Sequence, residues 1–275
     1  MGERESDQLV RPRLIDAFLE VERAVAVLTL DRDDVRNALT GTALVDDICS
    51  VISWLNHEPD ISTLVIASSG SAFSAGGNIK DMARRAGDFG GTAAEVARNY
   101  RLGIQRMALA MDGLEIPSIA VVDGAAVGAG CDLATMADIR LASTEASFGE
   151  TFLNLGIIPG DGGAWFLQRC VGYQRAAELT FTGRTVKAQE AKEIGLVLEV
   201  YARDELMSAT MMLARRIASQ PPKALRLTKR LLKAARRLEL PDLLELSACY
   251  QGFCHNEPEH EQAIERMMVR MKQAR

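Results

Sequence analysis

The sequence predicts an α/β fold that ends in an all-helical tail, on three observations. Short β-branched runs alternate with helix-type periodic segments through the first part of the chain. Three loops of small residues each follow an extended run and lead into a helix. Strand signals then stop after about residue 164. In chain order, Ala24–Leu30 (AVAVLTL) is short and β-branched, the pattern of a strand, and Asp31–Asn37 is a polar turn. Thr42–Leu55 places Leu44, Val45, Ile48, Val51, Ile52 and Leu55 on one helical face. Thr63–Ala67 (TLVIA) is the next strand and runs into the loop SSGSAFSAGGN. Thr92–Asp112 reads as one long helix closed by Gly113. Ser118–Val122 and Asp138–Ala142 are further strands, with the loop Gly124–Gly130 and a short apolar helix between them. After the loop Gly156–Gly163, helices are predicted around Gln174–Thr180, Ala188–Ile194, Asp204–Ser219, Pro222–Arg237, Pro241–Phe253 and Glu257–Lys272. No Pro/Ser-rich linker and no internal sequence repeat interrupts this order.

Composition narrows the function classes. The 275 residues are 48% hydrophobic and 25% charged, ordinary for a soluble globular protein and unlike a disordered chain. Lys plus Arg (32) against Asp plus Glu (37) leaves a net charge of −5, which argues against a nucleic-acid partner. The five cysteines are an odd number, widely spaced and without a CxxC pair. That disfavours a disulfide framework or a zinc site, and no metal is expected; a reducing, cytoplasmic compartment fits. No uncharged apolar run approaches the roughly 18 residues of a membrane span, and the opening MGERESDQ has no apolar core for a signal peptide.

Ten of the 22 glycines fall in the three loops: Gly70, Gly76, Gly77; Gly124, Gly128, Gly130; and Gly156, Gly160, Gly162, Gly163. A loop that ends at a helix start exposes backbone N–H groups where the helix dipole favours negative charge. Two such loops face to face would form an oxyanion hole for an enolate or tetrahedral intermediate; singly, each could be a tight turn. Neither GxxxxGK[ST] nor G-x-S-x-G occurs, the loop GAAVGAG lacks the acidic ribose partner of a dinucleotide site, and no histidine lies near a loop. Acid–base chemistry therefore falls to carboxylates.

Several co-linear motifs carry a resemblance. Ala72–Met82 (AFSAGGNIKDM) resembles the first oxyanion-hole motif of the crotonase (enoyl-CoA hydratase/isomerase) superfamily, and Asp123–Ala142 (DGAAVGAGCDLATMADIRLA) resembles the second. RNAL at Arg36–Leu39, FG…LGIIPG at Phe148–Gly160, PPKALRLTKRLL from Pro221 and a charged C-terminal helix follow in the family's order. The resemblance implies a spiral of repeated ββα units over residues 14–200, then a helical trimerisation region over 201–275. It implies a homotrimer or a dimer of trimers, and an acyl-CoA thioester as ligand, with coenzyme A entering as part of the substrate and no separate cofactor. By position, the N–H groups of Gly77 and Ala129 would polarise the thioester carbonyl, each contributing about 3–4 kcal/mol to the enolate. Val35, Arg36, Ala38, Ala75, Gly76, Asn78 and Ile79 would flank the CoA, and Arg270 would reach a neighbouring subunit's CoA phosphates. Met82, Met107, Met111, Phe152 and Trp165 are candidates for the acyl pocket.

Departures from the family pattern bear on the reaction. Family hydratases carry two glutamates; here the first position is Asp132 and the second is Phe152. Asp161, in IPGDGG ahead of a helix, stands where some family members place a working aspartate, with a helix cap as the alternative. Glu150 lies two residues before Phe152 and would share its face in an extended segment. Enoyl-CoA hydration or double-bond migration is expected, with Asp132 and Asp161 as the acid–base pair and Glu150 as a further candidate. Acyl-CoA hydrolysis or decarboxylation, and non-catalytic acyl-CoA or RNA binding, are the alternatives. The basic run Lys223–Arg237 reads as a solvated helix face.

Overall fold

The computed structural model describes residues 11–273, so the opening MGERESDQ lies outside the described residues. β1 (Ala17–Glu22) and β2 (Val25–Leu30) form an antiparallel pair, followed by α1 (Leu44–His57), β3 (Thr63–Ser68), β4 (Ala72–Ser74) and α2 (Ile79–Arg84). Next come α3 (Ala93–Leu102), α4 (Gln105–Gly113), β5 (Ser118–Val122), β6 (Ala125–Val127) and α5 (Ala129–Met136). β7 (Ile139–Ser143), β8 (Ser147–Gly149), α6 (Gly163–Val171), α7 (Tyr173–Thr182), β9 (Thr185–Lys187), α8 (Ala188–Glu193) and β10 (Glu199–Tyr201) complete the mixed part. Four helices follow: α9 (Arg203–Ala218), α10 (Pro222–Ala234), α11 (Leu240–His255) and α12 (Pro258–Gln273).

Three times a strand of a large sheet is followed by a short strand of a small sheet and then a helix: β3–β4–α2, β5–β6–α5 and β7–β8–α6. The large sheet has the order β1-β2-β3-β5-β7-β10 and is parallel beyond the first pair; the small one has the order β4-β6-β8-β9. This is the ββα spiral implied by the resemblance. Each crossing between sheets is tight. At Gly124 (φ +89°) a Cβ would stand 2.3 Å from the Ser71 carbonyl oxygen.

The central strands β3 and β5 of the large sheet are buried on both faces, which is why they read as unbroken apolar runs. Leu64, Ile66, Ala120 and Val122 point into the main core with α1, α4 and α5. Val65, Ala67, Ile119, Val121 and Leu141 form a second core that Leu206 and Ala214 of α9 cover.

Four expectations need correction. β1 alternates half-buried and exposed residues at the sheet edge, too weakly patterned for the sequence to show it. β9 and β10 lie beyond residue 164, where no strand was expected; each spans three residues and pairs with β8 and β7. The helix expected over Thr92–Asp112 is broken at Gly103 (φ −106°, ψ −112°) into α3 and α4. Lastly, the basic face of α10 is not simply solvated. Arg226 donates to the carbonyls of Leu55, Glu58 and Ile61, where α1 ends. Lys233 donates to those of Met111, Asp112 and Leu114, where α4 ends. Lys229 is buried, donates to the Ile116 carbonyl at 2.6 Å and pairs with Asp138 at 2.7 Å. Helix C-termini present unpaired carbonyls and the negative end of the dipole, so these cations clamp α10 onto the body.

No helix among the described residues is long and apolar enough to cross a membrane. Replacing Lys229 tests the clamp. Lys229→Met leaves the Asp138 carboxylate without its cation and should cost about 3 kcal/mol in urea unfolding, the low end for a buried pair because Asp138 keeps some solvent contact. Adding Asp138→Asn should recover part of that loss.

Candidate active site

The site begins where two loops touch backbone to backbone. The first leaves β4 through Ala75, Gly76 and Gly77, and the second leaves β6 through Gly128 into α5. A Cβ at Gly76 (φ +77°) would lie 2.4 Å from the Val127 carbonyl oxygen and 2.9 Å from the Ala129 nitrogen. A Cβ at Gly130 would lie 2.2 Å from the Ser74 carbonyl oxygen. Side chains at these positions would push the loops apart, so the glycines are required by the approach itself.

That approach leaves two donors unused. The N–H of Ala129 is the first in α5 and has no intrahelical partner, and the N–H of Gly77 has no acceptor among the described residues. Both residues border one small cavity, together with Thr40, Met82, Phe89, Tyr100, Phe152 and Asp161. The cavity offers about 20 Å³, room for about one water. It adjoins an apolar groove of about 1000 Å³, with Ile79, Leu155 and Ile158 among its walls and Met82, Phe89 and Tyr100 shared between the two spaces.

The segment after β2 holds the first loop in place. Ala75 N–H donates to the Arg36 carbonyl at 2.9 Å, Leu39 N–H donates to that of Gly76 at 2.7 Å, and Ala38 bridges Gly76. Asn37 is fully buried, with its amide donating to the carbonyls of Ser69 and Ala72. Ser74 Oγ donates to the Asn37 carbonyl and accepts from Gly76 N–H, while Thr40 Oγ1 accepts from Asn78 N–H. Asn78 in turn caps α2. Val35, Arg36, Ala38, Ala75, Gly76 and Asn78 are individually expected from the sequence, whereas Asn37, Thr40 and Ser74 are not; Asn37 and Ser74 lie within the RNAL and AFSAGGNIKDM motifs, and Thr40 in neither.

Three carboxyl groups converge behind the donors. Asp132 in α5, Glu150 after β8 and Asp161 ahead of α6 are 0%, 1% and 3% exposed. Both oxygens of Asp132 and of Glu150, and Oδ1 of Asp161, receive no hydrogen bond. Asp161 is not the helix cap, since Gly162 holds that position and no side chain caps α6. Burial, then the nearby Asp132 charge, push the Asp161 carboxyl up to about 8. Burial, with the nearby Asp161 charge, raises Glu150 to about 7. Asp132 is held well above the usual carboxylate range by burial and by the nearby Glu150 charge.

Of these three, Asp161 borders the cavity and Asp132 and Glu150 do not; the exposed Asp88 is the other carboxylate in its lining. Glu150 does not share the face of Phe152, because residues Phe152–Leu155 form a 3-10 turn rather than an extended segment. The Phe152 side chain is in the cavity wall, beside Gly128. Tyr100, which sequence reasoning missed, lies at the junction of groove and cavity, its ring against Gly160 and edge-on to Phe89. Burial and the charges of Asp161 and Asp88 push its phenol up.

Other candidates lie elsewhere. Trp165 is outside both spaces: it is 40% exposed on the outer face of α6, stacked under Arg169. The helix period turns Phe166 and Leu167 inward instead. Met107 and Met111 belong to the main core, and Arg270 is exposed on α12.

Comparison with known proteins places this geometry. The enoyl-CoA hydratase/isomerase family profile matches residues 20–272. A short-chain-enoyl-CoA hydratase of Clostridium acetobutylicum is 32% identical over 264 residues, covering 94% of this chain and 97% of that one. An enoyl-CoA isomerase/hydratase of Mycosarcoma maydis is 31% identical over 259 residues, 89% of this chain and 92% of that one. Among solved structures, a putative enoyl-CoA hydratase of Streptomyces coelicolor superposes with a TM-score of 0.88 at 30% identity, covering 98% and 97% of the two chains. The chain therefore belongs to the enoyl-CoA hydratase/isomerase family and is an enzyme of that type.

Proposed function

We propose that this chain moves the double bond of an enoyl-CoA thioester, using Asp161 as both base and acid. The observation that carries this reading is that Asp161 is the buried carboxyl group bordering the cavity with Gly77 and Ala129, the other carboxylate of its lining, Asp88, being exposed; Phe152, at the position where family hydratases carry their second glutamate, lines the same cavity. With a 3-enoyl thioester, the Asp161 carboxylate takes a proton from C2. The C–H electron pair enters a dienolate whose negative oxygen accepts from Gly77 and Ala129 N–H. Asp161, now neutral, returns the proton to C4, and the double bond lies between C2 and C3. Asp132 and Glu150 support that carboxyl from behind and touch no reacting atom. The apolar groove suits an aliphatic acyl chain. Hydration is the second reading, favoured by the names of the relatives. It needs a further group to direct water, and Phe152 cannot do so.

Self-association as a trimer or a dimer of trimers fits the apolar residues left exposed on the last two helices. These include Leu240, Leu244 and Phe253 on α11, and Ile264, Met267 and Met268 on α12. Arg270 would then come to a neighbour's ligand from an exposed position. Sedimentation equilibrium should return three or six times the 29.9 kDa chain mass; a monomer would refute this arrangement.

With purified protein, a 3-enoyl-CoA should convert to the 2-enoyl isomer, read at the enone absorbance, while crotonyl-CoA is hydrated at least about 100-fold more slowly. Equal rates would favour the hydratase reading. Asp161→Asn should lower isomerisation by about 10²–10⁴-fold, the range for a lost general acid–base. The dependence on pH has a fixed sign. Asp161 must be ionised to act, so kcat/KM should climb about tenfold per unit below pH 8 and level off above it. Stability should run the other way. A carboxyl raised on folding binds more protons in the native state, so its contribution is present below the unfolded value near 4 and is lost as pH rises towards 8. The Tm of Asp161→Asn relative to the parent should therefore increase across that window.

A further inference from the structure

The small cavity has one soft wall. Gly77 is not in left-handed backbone, so its missing side chain is a matter of room. A Cβ there would meet three groups, each of them a cavity wall: Met82 Cε at 2.5 Å, Phe89 Cζ at 3.8 Å and Thr40 Oγ1 at 3.8 Å. The open side of Gly77 therefore looks into the cavity, and the Met82 methyl stands nearest in front of it. The start of α2 explains this placement. Asn78 N–H donates to Thr40 Oγ1 at 2.8 Å, and Met82 N–H donates to the Asn78 carbonyl at 3.1 Å, so Met82 lies one helical turn past the oxyanion loop. Side chains on a helix lean towards its N-terminus, which brings the thioether back over Gly77.

The aromatic walls are held more firmly. Phe89 is edge-on to Tyr100 at 6.4 Å, and the Tyr100 ring stands against Gly160, where a Cβ would lie 3.0 Å from it. Phe152 rests beside Gly128, where a Cβ would lie 3.7 Å from its Cζ. An unbranched thioether with three rotatable bonds yields before such rings do. A carbonyl at Gly77 and Ala129, with C2 in reach of Asp161, already takes more than the room of about one water. Any acyl group must then move the Met82 tip, and a methyl branch on C2 must move it further. A carbon added along the chain instead passes into the groove of about 1000 Å³, which has space for it.

We propose that Met82 determines specificity at C2: its terminal methyl admits acyl groups that are unbranched there and turns away those with a methyl branch. This rests on the thioester carbonyl accepting from Gly77 and Ala129. A Met82 that only covered α2 would be indifferent to where a ligand carries its fourth carbon.

The experiment is calorimetric titration of the full chain with butyryl-CoA and with isobutyryl-CoA, two ligands of equal composition that differ in whether the fourth carbon extends the chain or branches at C2. The parent should bind butyryl-CoA at least about tenfold more tightly, the low end for one misplaced carbon in an apolar site. Met82→Ala should narrow that ratio to about twofold, chiefly through tighter binding of isobutyryl-CoA. Met82→Leu, which stays apolar but ends one atom short, should fall between, and it decides alone should Met82→Ala not fold. Equal affinities in the parent overturn the proposal, as does a parent-like ratio in both variants. Relief of the ratio by Phe152→Ala in place of the Met82 variants overturns it as well, since the limiting wall would then be the ring. Turnover of a 3-enoyl-CoA separates the two ideas. Selective binding without turnover sinks the double-bond shift and leaves the role of Met82 standing, whereas turnover with equal binding of the two ligands sinks the role of Met82 alone.

Discussion

Everything at the site depends on one close approach, that of the backbone after β4 to the first turn of α5. Gly76 and Gly130 make it possible, because a methyl group at either would overlap a carbonyl oxygen of the facing loop. Gly77 and Ala129, whose N–H groups have no acceptor among the described residues, line the same small cavity. An unmade hydrogen bond on a small cavity is a standing preference for a negative oxygen. The three ββα units serve this contact. They send alternate strands into two sheets, so that each short strand of the small sheet ends where a loop must turn towards the next. The frame from Asn37, Thr40 and Ser74 then holds the first loop, so the donors are fixed before any ligand arrives.

The same burial sets the behaviour of the acids. Among the described residues, both oxygens of Asp132 and of Glu150 and Oδ1 of Asp161 have no hydrogen-bond partner and none of the three pairs with a cation; burial pushes Glu150 and Asp161 up to about 7 and 8. A carboxyl with that affinity for a proton is a stronger base than an exposed one once it is ionised. Hence the acid–base function and the cost of burial share one cause. Asp132 is fully enclosed and is not in the cavity lining, whereas Asp161 is.

The parts legible in the sequence were those with a steric or periodic signature. The glycine loops stood out because close backbone contact excludes every other residue, and the core strands TLVIA and SIAVV because both their faces are buried. The three-residue strands carried no period long enough to detect. The cations of α10 were misread because a charge facing water and one capping a helix end look alike until the partner helix is known. Trp165 seemed close to Asp161 along the chain, but the turn of α6 carries it to the outer face. Tyr100 comes from a helix far along the chain from the motifs, and only folding brings it to the cavity. Glu150 and Phe152 were named, but they border different cavities, Phe152 opening a 3-10 turn that no pattern announced.

The central claim is that Gly77 and Ala129 polarise a thioester carbonyl. The direct measurement is the carbonyl stretching frequency of bound butyryl-CoA, ¹³C-labelled at the thioester carbon and compared with the free ligand. Two N–H donors aimed at the oxygen should lower the frequency on binding, and Asp161→Asn should leave that lowering in place because the donors belong to the backbone. An unchanged frequency in a saturated complex would contradict the account, since the carbonyl would then lie elsewhere and the two free N–H groups would have no part in the chemistry.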